Sequence, residues 1–252
     1  MKFAVSADSY DVFMGRYSKP LATVFSDFAD IGPGMNVLDV GSGPGALTAE
    51  LVRRVGGGSV SAAEPSPQFV AAMRERYPQV DIREAAAEDL PFGDDVFDAA
   101  LAQLVVHFMA DPAAGIGQMR RVTRPGGIVA ACVWDHNTGG GPLSLFWEAA
   151  RSLDPDVVGE DRLSGSTEGD LATLFQSAHL NEVIETSISV QVEHSTFDDW
   201  WEPFTLGVGP AGSYVAGLAP ERRQALRELC SRLQPEAPFQ VTGTAWAARG
   251  IV

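Results

Sequence analysis

The stretch Val37–Leu47 reads VLDVGSGPGAL: an apolar run that carries one acid, Asp39, and leads into glycines at alternate positions, Gly41, Gly43 and Gly45. Such a turn bends sharply and lets a ligand approach the backbone with no Cβ in the way. Glu64 stands twenty-three positions after Gly41, at the end of the next apolar run. A carboxylate there can accept hydrogen bonds from both hydroxyls of a ribose, and it would repel a 2′-phosphate. The glycines fit the pattern G-x-G-x-x-G/A, which several nucleotide cofactors share. A phosphate loop of the Gly-Lys-Ser/Thr kind is excluded, because Gly45 is followed by Ala46 and Leu47.

A second group could move protons. His107 lies in QLVVHFMADP, and Asp135-His136 follow the apolar run Ile128–Trp134. Histidine is the side chain best matched to acid–base work near neutral pH. The plain alternative for His107 is a packing or capping histidine. His179 and His194 fall outside the pattern and read as structural. Lys2 and Lys19 are the only lysines among 18 basic residues, so Schiff-base chemistry on an interior lysine is not expected. Cys132 and Cys230, in an apolar and a helical run, read as two buried thiols. No cluster has metal-ligand spacing.

These residues need elements to hold them. Val37–Val40 reads as a strand and Ala46–Val55 as a helix, with Leu47, Leu51 and Val55 on one face and Gly56–Gly58 as its stop. Ser59–Ala63 is a second strand. Ser66 and Pro67 open a helix by a cap-then-proline device, which Asp111 and Pro112 repeat. Val80–Glu84, Val96–Leu104 and Ile128–Trp134 complete five strands. Beyond residue 136, helices are expected near Leu145–Leu153, Thr167–Ala178 and Pro220–Leu233, and a strand over Val183–Val192. The final FQVTGTAWAARGIV reads as an edge strand. The alternation implies an α/β fold, a doubly wound sheet with right-handed parallel crossovers. Ligands of such sheets bind beyond the carboxyl ends of the strands.

The chain has 252 residues, 45% of them hydrophobic, and a formal charge of −15. That suits one α/β domain with embellishments. The charge argues against a nucleic-acid partner and against an anionic membrane surface. No apolar run is long enough to span a bilayer, and the N-terminal stretch is too weakly apolar for a signal peptide, so a cytoplasmic location is expected. Oligomeric state is not legible.

Four features taken in order resemble one family. VLDVGSGPG, the acid Glu64, AEDLPF…FD, and RRVTRPGG before the fifth strand make the chain resemble the class I S-adenosylmethionine-dependent methyltransferases, and among them the broad small-molecule group called type 11. The resemblance spans roughly residues 8–135, including the segment YDVFMGRYSKPLA. It implies a Rossmann-like, mostly parallel seven-stranded sheet with helices on both faces, an N-terminal helical cap (1–30), a cofactor-binding core (31–135) and a C-terminal helical or lid insertion (136–252). It also implies S-adenosylmethionine as cofactor, with S-adenosylhomocysteine as product. Gly41, Gly43 and Gly45 would line the methionine part, and Asp39 would reach the amino group, directly or through water. Glu64 would hold the ribose, and Pro65 would pack near the adenine. Ala87 and Glu88 would meet the adenine edge, and Gln103 would lie near the methionine. Tyr10 and Arg16 would reach the carboxylate. Ala86 departs from the pattern, since many relatives carry an acid there.

The acceptor would be a small molecule, with His107, Asp135 or His136 as base if a proton must leave. Residues 197–212, with Trp200, Trp201 and Phe204 beside Gly207 and Gly209, could form an apolar lid suited to an apolar or aromatic acceptor, or a small satellite core. Two other readings stand beside this one. A dehydrogenase using NAD would share the glycine turn, but no tyrosine has a lysine four positions on. A non-catalytic cofactor-binding protein on the same fold would share every motif.

Overall fold

The computed structural model describes residues 7–160 and 163–252. Strands β1 (Val37–Val40), β2 (Val60–Glu64), β3 (Asp81–Glu84), β4 (Phe97–Gln103), β5 (Thr123–Trp134), β6 (Asn181–His194) and β7 (Phe239–Ile251) form one seven-stranded sheet in the order β3-β2-β1-β4-β5-β7-β6. The first five are parallel, and β7 runs antiparallel to both β5 and β6. Strand β1 is buried at every position between β2 and β4, Asp39 included, as suits a central parallel strand covered on both faces.

The final strand is internal and not at the edge. Ala245, Ala247 and Ala248 are fully buried between β5 and β6, and β6 takes the edge with alternating exposure. Small residues in β7 look weak in a hydropathy pattern, yet they are what a strand covered on both faces can accommodate. Strand β5 also begins earlier than its apolar run, because Thr123 pairs with Phe97 before a register shift.

The helices that position the site are α1 (Ala7–Tyr10), α2 (Arg16–Phe28), α3 (Ala46–Val55), α4 (Pro67–Arg76), α5 (Pro112–Val122) and α6 (Ser144–Leu153). One wide π-helical turn, Asp11–Gly15, joins α1 to α2. Gly56 at φ +84° ends α3, its N–H returning to the Val52 carbonyl. Asp111 caps α5 as expected, accepting the Ala114 N–H at 3.0 Å. Ser66 occupies the cap position of α4, but its hydroxyl makes no capping bond. Its backbone N–H instead donates to Glu64.

Helices α7 (Asp170–Ser177), α8 (Phe197–Trp201), α9 (Gly209–Gly217) and α10 (Pro220–Leu233) complete the chain. The 197–212 segment is packed down. Trp200, Trp201 and Phe204 are all buried. Phe204 stacks on Phe146 at 4.5 Å and meets Phe13 edge-on at 5.2 Å. The satellite-core alternative therefore describes these aromatics, and the picture of exposed tryptophans on a cover does not.

Candidate cofactor and acceptor site

At the carboxyl ends of β1, β2 and β4, a cavity of about 260 Å³ opens between the sheet and the N-terminal helices. The glycine turn forms its floor. Gly41, Gly43 and Gly45 all have positive φ, at 71°, 53° and 98°. They serve different ends. A Cβ on Gly41 would meet Val105 Cγ1 at 2.5 Å, and one on Gly45 would meet Met73 Sδ at 2.3 Å. Nothing lies within 4 Å of a Cβ on Gly43. Gly41 and Gly45 let the turn pack, and Gly43 leaves room above it. Gly45 accordingly lies outside the cavity wall.

Three carboxylates line this space, those of Asp39, Glu64 and Glu88. Asp39 is 1% exposed and accepts the Thr48 hydroxyl at 2.5 Å. Burial pushes its pKa up to about 7, with the Thr48 hydrogen bond opposing and nearby Glu64 adding to the shift. Glu64 accepts the Gly43 N–H at 2.9 Å through Oε2 and the Ser66 N–H at 2.8 Å through Oε1. Burial raises its pKa, while those two N–H groups act against the shift. Each oxygen keeps a lone pair for a ligand hydroxyl.

The wall continues through Pro65, Ala86, Ala87 and Glu88 on one side and Tyr10, Ser18 and Gln103 on the other. Glu88 is committed elsewhere: Oε1 accepts the Ala110 and Asp111 N–H groups at 2.7 and 3.2 Å, pinning the loop before α5. Gln103 Nε2 donates to the Ser18 carbonyl at 2.9 Å. Its Oε1, with the hydroxyls of Ser18 and Ser42, is buried without a hydrogen bond to any described residue. Buried polar atoms left this way call for a partner from outside the protein. Ser18, Ser42, Phe69 and Phe108 were not singled out in the sequence, where no spacing marks them.

Arg16 does not reach the cavity. Its guanidinium contacts His194 Nδ1 at 2.9 Å and donates to Asp199, at 3.0 Å to the carbonyl and 3.2 Å to the carboxylate. Tyr17 OH contacts the other ring nitrogen of His194 at 2.9 Å. Arg16 thus ties the N-terminal helices to the C-terminal region. Tyr10 stays in the wall, edge-on to Phe69.

A narrow second space of about 30 Å³ adjoins the first, sharing Tyr10, Leu104 and Phe108 with it. His107, Trp134, His136 and Glu160 line it along with apolar side chains from several elements. His107 and His136 meet edge to face at 6.0 Å. Burial, then the neighbouring His136, lower the pKa of His107 to about 3. It is therefore neutral at physiological pH. Beyond lies a third, polar space of about 390 Å³, which shares His136 and Glu160 with the second. Asp135 lines none of the three. Its carboxylate accepts the backbone N–H and the hydroxyl of Thr138, closing the turn after β5. It is held in that turn and lines none of the spaces a base would serve.

Glu160 went unnoticed in the sequence, where it is one acid among many. In the fold it is 5% exposed and accepts Trp147 Nε1–H at 2.9 Å. Burial pushes its pKa up to about 7, with the Trp147 hydrogen bond opposing.

Comparison with known proteins agrees with this architecture. Residues 38–131 match the family model described as "Methyltransferase domain". An uncharacterised methyltransferase of Mycobacterium tuberculosis is 34% identical over 135 residues, 54% of this chain and 52% of that protein. A demethylmenaquinone methyltransferase of Mycobacterium bovis is 38% identical over 102 residues, 40% of this chain and 42% of that one. The chain spans about half the length of the curated relatives it matches. The crystal structure of the YcgJ protein from Bacillus subtilis superposes with a TM-score of 0.59 at 17% identity, covering 91% of this chain and 97% of that one. Residues 38–131 thus match a methyltransferase domain, and the sheet that holds them has the fold of the YcgJ protein.

Proposed function

We propose that the whole protein transfers a methyl group from S-adenosylmethionine to a small-molecule acceptor. The observation that carries this reading is the chemistry of the cavity wall. Asp39 and Glu64 line one space together with Ser18, Ser42 and Gln103, whose side-chain oxygens have no hydrogen bond to any described residue. That set suits a ligand with a cationic amine at one end and a free ribose at the other. It is ill suited to a pyrophosphate, since no lysine or arginine lines the cavity among the described residues. The glycine turn accordingly makes room above Gly43 for an amino acid and a sulfonium, and anion binding at the start of α3 is not its purpose.

Asp39 would take the amino group, Glu64 the ribose, and Pro65, Ala86 and Ala87 would flank the base. The bound sulfonium supplies an already activated methyl group, so the protein needs no covalent nucleophile. Its task is alignment, which can lower a barrier by up to ~7–11 kcal/mol. Tyr10, Leu104 and Phe108 face both the cofactor cavity and the space beside it, so they would hold the acceptor in line and keep water out. The relative named for demethylmenaquinone supports a small organic acceptor.

Titration calorimetry tests the reading. The protein should bind S-adenosylmethionine and not NAD. Glu64→Ala should weaken binding by ~1.5–3 kcal/mol, the range for hydrogen bonds to a charged group. Binding of NAD alone would overturn the proposal. Unchanged affinity in the variant would remove Glu64 from the ribose. Cofactor binding with no labelled methyl passed to any compound of a metabolite extract would leave a binding protein only.

A further inference from the structure

Three neighbouring spaces that share walls bear on what can be methylated. The middle one, of about 30 Å³, is a neck between the 260 Å³ cofactor cavity and the 390 Å³ basin. A water needs ~10–15 Å³ on this measure, and a cavity of ~150 Å³ accommodates a benzene ring. The neck admits a slender arm and no ring. The basin carries polar side chains, Asn137, Thr138, Ser144, Glu148 and Arg151 among them. The acceptor's bulk therefore sits among polar groups and only its nucleophilic tip passes the neck. This departs from the apolar or aromatic acceptor that a lid of tryptophans would have implied.

The wall of the neck indicates the chemistry of that tip. Glu160 is the one acidic or basic side chain among the residues lining the neck, apart from the two histidines and Tyr10. It belongs to the basin wall as well. The faces around it are π-rich, with Trp134 and Phe108, and aromatic faces favour a cation. His107 lines the same space and stays neutral, so it adds no competing positive charge there. A thiolate tip would be repelled by the carboxylate. An alcohol would need a far stronger base than a carboxylate. An ammonium is attracted by it.

Resting on the methyl-transfer reading above, we infer that the acceptor is an amine whose aminoalkyl arm enters through this neck, and that Glu160 takes the proton its ammonium must lose. The sulfonium next door makes that loss necessary, because a second cation close by is disfavoured and a protonated nitrogen has no lone pair. Burial brings the two groups toward each other in proton affinity, lowering that of the ammonium–amine pair and raising that of Glu160. One ammonium proton passes to the Glu160 carboxylate, leaving a neutral amine and a carboxylic acid. The nitrogen lone pair then forms the N–C bond as the S–C bond breaks. That bond's electron pair stays on sulfur, and the positive charge ends on the N-methylammonium product. The Glu160 proton leaves through the basin. Glu148 and Arg151 on α6, Tyr10 on α1, and His107 and His136 in the turns after β4 and β5 share these spaces with Glu160.

The test uses the full chain with S-adenosylhomocysteine bound, and ethylamine, ethanol and ethanethiol as tip probes, followed by ligand-detected NMR. Ethylamine should bind saturably and the other two should not. Glu160→Gln should weaken ethylamine binding at least tenfold and Glu160→Asp should restore part of it, with S-adenosylhomocysteine affinity unchanged in both. With methyl-labelled S-adenosylmethionine and mixed primary amines, label should appear in an N-methylated amine, separated from the cationic donor by chromatography and identified by mass. Glu160→Gln should cut that turnover ~10²–10⁴-fold, the usual range for a general base. Equal ethylamine binding in Glu160→Gln, or binding of ethanol or ethanethiol as good as that of ethylamine, would overturn the assignment. So would no ethylamine binding, or label in neutral ethers or thioethers. If the unmodified protein binds no S-adenosylhomocysteine, the methyl-transfer reading itself falls.

Discussion

Asp39 shows how a single buried carboxylate couples binding to pH. Its pKa rises from 3.8 to about 7 in the folded, ligand-free protein, so the folded state holds its proton more tightly than the unfolded chain does. The stability this contributes is complete below the unfolded value and is lost as pH rises through about 7. A cationic amine reverses the preference, since it favours the carboxylate. Cofactor affinity should therefore climb between pH 5.5 and 7.5, by up to about tenfold per unit at the acid end. Calorimetry at pH 6 in buffers of different ionisation heat should detect a proton released on binding, and Asp39→Asn should abolish that release. At this scale the sequence was informative where a residue's neighbours are local. Asp39, Glu64 and Ala87 lie within three positions of strand ends, and all three line the cavity. Arg16, Asp135 and Glu160 were misjudged or missed because their partners are far away in sequence or lie in an irregular turn.

At the scale of elements, the glycine turn separates two kinds of requirement that its spacing alone cannot distinguish. Gly41→Ala places a methyl against Val105 and forces φ +71° on a side chain. Urea unfolding should show a loss of about 2 kcal/mol or more, from backbone strain and overpacking together. Gly43→Ala carries strain of ~1–2 kcal/mol with open space around the new methyl. Its larger effect should be on cofactor affinity, at least tenfold by calorimetry, because that space belongs to the ligand. A Gly43→Ala variant that binds normally would mean the cavity is filled in some other way. The strands were legible from their apolar runs to within a few residues. The order of the last two was not, because alternation reports which face is buried and says nothing about which neighbour lies alongside. Only pairing of Ala247 with Cys132 on one side and Thr186 on the other puts β7 inside the sheet.

Across the whole molecule, the two ends of the chain are bound into one core. Trp200 packs on Phe204, and Phe204 in turn contacts Phe13 near the start and Phe146 on α6. Trp200→Ala should cost ~3–5 kcal/mol in urea unfolding, the range for deleting a large buried aromatic. Hydrogen exchange over residues 197–204 should be slow; fast exchange there would restore the moving-cover picture. The sequence indicated the class of the molecule through motifs within residues 38–131, but the acceptor side could not be read, because its walls are assembled from distant segments. The neck takes Tyr10, Phe13 and Met14 from the N-terminal helices, Leu104, His107 and Phe108 from beyond β4, Trp134, His136 and Leu143 from the end of β5 and the turn after it, Glu160, and Val208 to Ala211 from the start of α9. Most of these positions contribute nothing to the floor where Asp39 and Glu64 sit. On the methyl-transfer reading, substitutions in any of these separate stretches, away from the shared Tyr10, Leu104 and Phe108, would reshape the choice of acceptor while leaving the methyl donor's berth intact, which would let one scaffold diversify its substrates in small, separately survivable steps.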